Sequence, residues 1–210
     1  MKKYIVEFIG TFFLVLVIGL SGNPIAIGSI LMIMIYMGGH ISGAHYNPAV
    51  TLAIWIRKKI ELKEALTYML FQILGAVLAA ICFHLIWGWE VNFAPTPNPT
   101  INILKPLFIE IVFTFALALV VLNVATSKQT SGNNYYGLAI GFTVLAAAIS
   151  GGPISGGAYN PAVGLGPILV DTISGGNSIT HLWLYLVGPF TGAAAAAIVF
   201  KMINPEEVEM

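Results

Sequence analysis

Polar positions in this chain are few and bunched, and the apolar runs between them predict its elements. Residues 8–56 contain no Asp, Glu, Lys or Arg, and neither do residues 65–89, 129–170 or 172–200. About 20 apolar residues cross the hydrocarbon core of a bilayer, so runs of this length predict membrane spans. Turn residues divide the runs. A first span covers residues 4–20 and ends at Ser21-Gly22-Asn23-Pro24. A second covers 25–37 and is broken by Gly38-Gly39-His40. A third covers 65–87, and a loop holding Pro95, Pro97 and Pro99 follows. The fourth covers 103–125, the fifth 135–150 up to Gly151-Gly152-Pro153, and the sixth 179–202. Two apolar pieces are too short to cross. Residues 48–56 make a helix of about 14 Å, stopped by Arg57-Lys58-Lys59. The other piece ends at Val170, before a loop over 171–178. Short apolar helices beside glycine-rich backbone suggest re-entrant segments, which survive at membrane depth only when buried in protein or lining a wet cavity. Residues 205–210 read as a frayed acidic tail.

The two short pieces follow nearly the same words. Residues 41–50 read Ile-Ser-Gly-Ala-His-Tyr-Asn-Pro-Ala-Val, and residues 154–163 read Ile-Ser-Gly-Gly-Ala-Tyr-Asn-Pro-Ala-Val. Other echoes surround them. Glu7 with Thr11-Phe12 matches Glu110 with Thr114-Phe115, and Gly75-Ala76 matches Gly192-Ala193. The offsets are 110−7 = 103, 160−47 = 113 and 192−75 = 117. Their upward drift is what loop insertions in a duplicated unit produce. Each half holds two spans, a half-helix and a third span, with the first repeat at about 4–87 and the second at about 103–202 of a single domain over 1–210.

Composition supports this picture. Only 9% of residues are charged, against about 25% in soluble domains, so the chain is not built for water. A net charge of zero argues against a nucleic-acid partner. Cys82 is the single cysteine and reads as a small apolar residue in a span. Met1-Lys2-Lys3 before an apolar run resembles a signal peptide. Glu7 interrupts that run, and the repeat needs this segment as its first element, so it reads as a retained span. Basic residues set orientation. Lys2, Lys3, Arg57, Lys58, Lys59, Lys63, Lys128 and Lys201 share one side if both termini are cytoplasmic, and only Lys105 falls opposite. Three spans per half then invert the second half. The half-helices enter from opposite faces, an arrangement that places a pathway near the midplane.

The repeated turns carry the chemistry. Asn is a strong N-cap and Pro suits the first helical position, so Asn47-Pro48-Ala49 and Asn160-Pro161-Ala162 read as helix starts. An Asn that caps through its oxygen keeps its amide nitrogen as a donor. Each helix N-terminus adds about half a positive charge. Two such ends facing one another orient the oxygen of a passing water or alcohol, repel cations and disfavour a continuous file of hydrogen bonds for protons. One such turn alone would be an ordinary turn; two in matching places of an inverted repeat point to a shared role.

Other polar residues have two readings each. Glu7 and Glu110 are intramembrane carboxylates. They serve either as a proton relay in a coupled transporter or as acceptors for backbone donors of the re-entrant loops, and their symmetric placement favours the second. His45 is a candidate pore-lining residue, although its counterpart is Ala158. His40, His84 and His181 show no metal-ligand spacing. Gly188 and Gly192, and likewise Gly75 and Ala79, are small residues four apart that favour close helix approach. Trp55, Trp87, Trp89 and Trp183 sit near span ends, where aromatic belts anchor membrane proteins. No nucleophile–base pair or metal cluster stands out, so neither an enzyme, a cofactor nor a bound metal is expected.

The chain resembles the aquaporin and glycerol-facilitator family along nearly its whole length. The resemblance rests on Glu7-Phe8-Ile9-Gly10-Thr11-Phe12, His40 through Thr51, Gln72-Ile73-Leu74-Gly75-Ala76, Glu110 through Phe115, Asn160-Pro161-Ala162 with Gly166-Pro167, and Gly188 through Ala193. It implies an all-α membrane fold, an inverted repeat of six transmembrane helices plus two re-entrant half-helices. It also implies one pore per protomer and a homotetramer. By family spacing the selectivity filter falls on Ile27, Ala148, Gly157 and Val163, and the family's His before the first turn falls on His45. The family usually places an arginine where Val163 stands; some plant vacuolar-membrane members are similar in carrying valine there. These four side chains predict a wide, apolar filter without a fixed positive charge. The expected function is passive passage of water and small neutral solutes such as glycerol, urea or ammonia, with ions and protons excluded. The alternative is a proton-coupled transporter using Glu7 or Glu110. The expected setting is the lipid bilayer of the plasma membrane.

Overall fold

The structure is a computed structural model, and it describes residues 1–207. Among the described residues there are no strands. Eight α-helices follow in order: α1 Lys2–Ser21, α2 Pro24–Ser42, α3 Pro48–Ile56, α4 Leu62–Trp87, α5 Leu104–Val121, α6 Tyr136–Ser155, α7 Pro161–Ile173 and α8 Leu182–Ile203. A π turn over Leu122–Thr126 extends α5, and a 3-10 turn over Ser178–His181 leads into α8. Six of these helical stretches are long and apolar enough to cross a membrane. The helices α3 and α7 are the short pair.

Two predicted breaks are absent. The helix α2 continues through Gly38-Gly39-His40 to Ser42, and α6 continues through Gly151-Gly152-Pro153 to Ser155. In each the real stop is a glycine in the left-handed conformation, Gly43 at φ 85° and Gly156 at φ 89°. The inner glycines serve close packing instead: Gly38 lies against the Tyr46 hydroxyl and Gly151 against that of Tyr159, leaving no space for a Cβ. The other breaks lie within a few residues of prediction, since α7 runs on to Ile173 and includes Asp171.

The two halves pack alike. The helix α1 lies on α4 as α5 lies on α8, and α2 crosses α6 between the halves. Gly75 in α4 presses on the Phe8 carbonyl of α1, and Gly192 in α8 presses on the Ile111 carbonyl of α5. These small residues therefore close helix pairs within one protomer, as small residues do in membranes generally. At the α2–α6 crossing a Cβ on Gly28 would stand 2.7 Å from the Gly141 carbonyl oxygen. These two glycines are themselves repeat mates, since 141−28 = 113.

The tail departs from the frayed reading as far as Glu207; residues 208–210 lie outside the described residues. Pro205–Glu207 forms a 3-10 turn. Arg57, at the end of α3, donates to Glu207 at 2.7 Å and to the Thr126 carbonyl at 3.0 Å, and it stacks 4.3 Å over the Phe200 ring. Glu207 also accepts from the Ser127 hydroxyl and the Lys128 amide. A buried arginine needs a paired, hydrogen-bonded anion, and the tail supplies it. Lys3 pairs with Glu64 on the same side. The termini, the end of α3 and the α5–α6 loop therefore share one face of the bundle, called here the terminus face. The four tryptophans are all exposed on the protomer.

Candidate functional site

The helices α3 and α7 begin at one point and run apart. The Asn47 amide nitrogen donates to the Tyr159 carbonyl at 3.0 Å, and that of Asn160 donates to the Tyr46 carbonyl at 2.8 Å. Each Asn also caps its own helix. Asn47 Oδ1 accepts from the Ala49 amide at 2.8 Å and the Val50 amide at 3.4 Å, and Asn160 Oδ1 accepts from the Ala162 amide at 2.9 Å. Pro48 and Pro161 occupy the first helical positions. An Asn amide has two N–H groups. One of them ties the two turns together, and the other is left for a ligand. The side-chain nitrogen is thus less free than capping alone suggests. The two N-terminal dipole ends meet here.

The backbone before each Asn is strained in the same way. Tyr46 and Tyr159 both lie at φ 49°, a region that costs a residue with a Cβ roughly 1–2 kcal/mol. Buried carboxylates hold these turns in place. Glu7 accepts from the His45 amide at 3.0 Å, the Tyr46 amide at 2.7 Å, the Ser42 hydroxyl at 2.6 Å and the Gln72 amide at 2.8 Å. Glu110 accepts from the Ala158 amide at 3.1 Å, the Tyr159 amide at 2.7 Å and the Ser155 hydroxyl at 2.7 Å. Four tyrosine hydroxyls complete the scaffold. Tyr46 and Tyr159 donate to the carbonyls of Met34 and Ala147, and Tyr68 and Tyr185 donate to those of Ser42 and Ser155.

A cavity of about 630 Å³ runs past the paired asparagines. Asn47, Asn160, His45, Ile27, Ala148, Gly157 and Val163 all line it. Pro48, Ala49, Pro161 and Ala162 are buried behind this lining, and Glu7 and Glu110 do not reach it. No charged side chain of the described residues is on the wall. The polar groups there are the asparagines, His45 and loop backbone; apart from Tyr46 and Tyr159, the rest is aliphatic. Among the described residues, no three His, Cys, Asp or Glu side chains come together as a metal site.

Sequence reasoning missed several residues here. Gln72 and Thr51 brace the turns without any spacing signal of their own, and Tyr68 and Tyr185 brace them as a repeated pair. Tyr46 and Tyr159 were legible only as repeated letters, since a positive φ at tyrosine has no sequence signature. Their recurrence at 159−46 = 113 and 185−68 = 117 was the available clue.

Comparisons with known proteins agree with this geometry. A family profile described as "Major intrinsic protein" matches residues 1–200. The chain is 37% identical to "Aquaporin NIP1-1" of Zea mays, an alignment covering 97% of this chain and 75% of the relative. It is 35% identical to "Glycerol uptake facilitator protein-like 6" of Lactiplantibacillus plantarum, covering 99% of this chain and all of the relative. Among solved structures it is similar to the aquaglyceroporin from Plasmodium falciparum, with a TM-score of 0.86, 26% identity and 98% of each chain covered.

Proposed function

We propose that this chain, which belongs to the major intrinsic protein family, passes water and small neutral solutes through the cavity between its two Asn-Pro-Ala turns. It is an integral multi-pass membrane protein and a passive channel, not an enzyme. The observation that carries the reading is the paired asparagines, each with one N–H left over at the meeting of two helix N-termini. A passing hydroxyl or carbonyl oxygen accepts from these donors, while a cation meets two positive dipole ends. Water held there by its oxygen cannot pass a proton onward through the same point.

Ile27, Ala148, Gly157 and Val163 form the outer filter in this reading. With Val163 where the family usually has arginine, the ring is apolar and carries no fixed charge, so glycerol, urea and ammonia pass with water. Buried Glu7 and Glu110 stand away from the cavity with their oxygens occupied by loop donors, which favours a channel over a proton-coupled transporter. Both termini are placed in the cytoplasm and the protein in the plasma membrane, where exposed apolar faces of a homotetramer meet one another and lipid. The chain acts as one channel domain over 1–210, built from the repeats at about 4–87 and 103–202.

Swelling of proteoliposomes in each solute tests the reading. Rapid swelling in glycerol and urea is the expected result; swelling with water alone would refute the wide filter. Val163→Arg reduces solute passage and keeps part of the water flow.

A further inference from the structure

The end of α5 does not finish as a regular helix. Leu122–Thr126 is a π turn, a rare form found mostly as single turns and often at functional sites. Here it is part of the pore wall. Val121, just before it, lines the central cavity and also two adjoining cavities on the terminus face, of about 350 and 440 Å³. Ala125 and Thr126 line both of these terminus-face cavities, and Val124 lines the larger. The other half has no such turn. By the offset of 103 its mate is the end of α1, since 122−103 = 19 and 126−103 = 23. There α1 stays regular to Ser21 and stops at Gly22, in the left-handed conformation at φ 56°.

Side chains hold the π form. Four carbonyls of the turn each accept from one. The Thr126 hydroxyl donates to the Leu122 carbonyl at 2.6 Å, and the Thr130 hydroxyl to that of Asn123 at 2.6 Å. The Asn133 amide donates to the Val124 carbonyl at 2.7 Å, and Arg57 to that of Thr126 at 3.0 Å. Arg57 enters twice, because its Nε also donates to Thr126 Oγ1 at 2.7 Å. A hydroxyl has one proton and two lone pairs, so Thr126 can take the Arg57 N–H while its own proton stays on Leu122. The guanidinium therefore grips both ends of the turn.

Arg57 is fixed in its turn by the tail. Its side chain and that of Glu207 are each only 2% exposed, and a guanidinium so buried needs an anion beside it. Glu207 joins Arg57 to the first two residues after the turn, through the Ser127 hydroxyl and the Lys128 amide. Glu206 accepts from the Gln129 side chain at 2.7 Å. The end of α3 and the tail, 150 residues apart, thus converge on one turn of α5.

We propose that Arg57 and Glu207 are positioning residues for solute passage: the docked tail keeps the end of α5 in the π form that shapes the terminus-face wall of the pore. When the tail leaves, the turn relaxes into regular α-helix. Losing the extra residue moves each later residue back one place, a rotation of about 100° around the helix axis. Val124, Ala125 and Thr126 then present different side chains to the two cavities. The docked form, in which the central cavity adjoins both of them, is the conducting one, so release lowers solute flux. The proposal rests on the channel reading above.

The test uses the full chain in proteoliposomes, with glycerol and water flux measured on the same vesicles and amide hydrogen exchange on the same protein. Glu207→Gln keeps the bulk of the side chain and removes the anion. It lowers glycerol flux severalfold, with about tenfold as the limit that one charged hydrogen bond sets. The glycerol-to-water ratio falls as well, whereas a mere loss of folded protein lowers both fluxes alike. Thr126→Val acts in the same direction and less strongly, and Thr126→Ser restores the wild-type ratio. Exchange at residues 122–127 speeds up in Glu207→Gln, while residues 19–24 at the end of α1 keep their wild-type rates. An unchanged or raised ratio in Glu207→Gln, or a fall without faster exchange at residues 122–127, overturns the proposal. If Glu207→Gln does not fold, the Thr126→Val and Thr126→Ser pair decides on the same two readouts. Sealed wild-type vesicles overturn the channel reading, and the exchange rates, which need no flux, separate that failure from a tail that does not hold the turn.

Discussion

Glu7 and Glu110 hold equivalent places in the two halves, yet Glu7 gathers four hydrogen bonds and Glu110 three. The missing donor is Gln72, whose mate is Pro189 (189−72 = 117). Thr51, which shares Gln72, is mirrored by Gly164 (164−51 = 113). The Asn-Pro-Ala, the two tyrosines, the serine and the carboxylate are each present twice. What differs is the polar chain from Glu7 through Gln72 and Thr51 to His45, found in the first half alone. Duplication therefore set the scaffold, and the departures from it lie beside the pore, where chemistry is added to one arm.

The largest test of this difference removes each carboxylate. Glu7→Ala and Glu110→Ala each strand several buried donors at about 1–3 kcal/mol apiece. Thermal unfolding in detergent then shows losses of several kcal/mol, greater for Glu7→Ala by about one such bond. Equal losses would break the comparison.

A smaller test grafts the first half onto the second. A Cβ at Gly164 stands 2.5 Å from Tyr185 Cβ, so Gly164→Thr overpacks the site and costs about 1–3 kcal/mol. A neutral result would show that packing does not keep the second half glycine-bearing here.

The twin threonines sharpen the comparison further. Thr11 donates to the Glu7 carbonyl at 2.8 Å, whereas Thr114 Oγ1 is buried without a partner. Thr11→Val costs about 1 kcal/mol, and Thr114→Val costs nothing or stabilises. Matching melting shifts for the two would contradict the asymmetry.

The smallest effect in the neutral range belongs to the tail. The Ser127 hydroxyl and then the Arg57 guanidinium hold the Glu207 carboxyl at about 2, below its ordinary 4.5. A lowered folded value stabilises above the ordinary one and is lost as pH falls through the lowered one. The tail stays docked at neutral pH and releases between about 4.5 and 2. Proteolysis of the tail across that range follows the release, and Glu207→Gln brings it to neutral pH.

Much of this architecture was legible in the letters. The charge-free runs mark the spans, and Asn47-Pro48 and Asn160-Pro161 mark the half-helix starts, because caps and long apolar runs are local signals. The breaks at Gly38-Gly39 and Gly151-Gly152 were misread because a glycine that ends a helix and one that admits a tyrosine look the same in sequence. The docked tail was missed for a related reason: Glu207 gains its meaning from Arg57, 150 residues away. The bracing by Gln72 and Thr51 is likewise a product of the folded geometry.

The most direct measurement of the central claim follows glycerol swelling and internal pH in the same wild-type proteoliposomes. The expected result is fast swelling with a low activation energy and no proton flux above that of empty vesicles. Solute uptake that drives proton entry, or vesicles that stay sealed to glycerol, would contradict it.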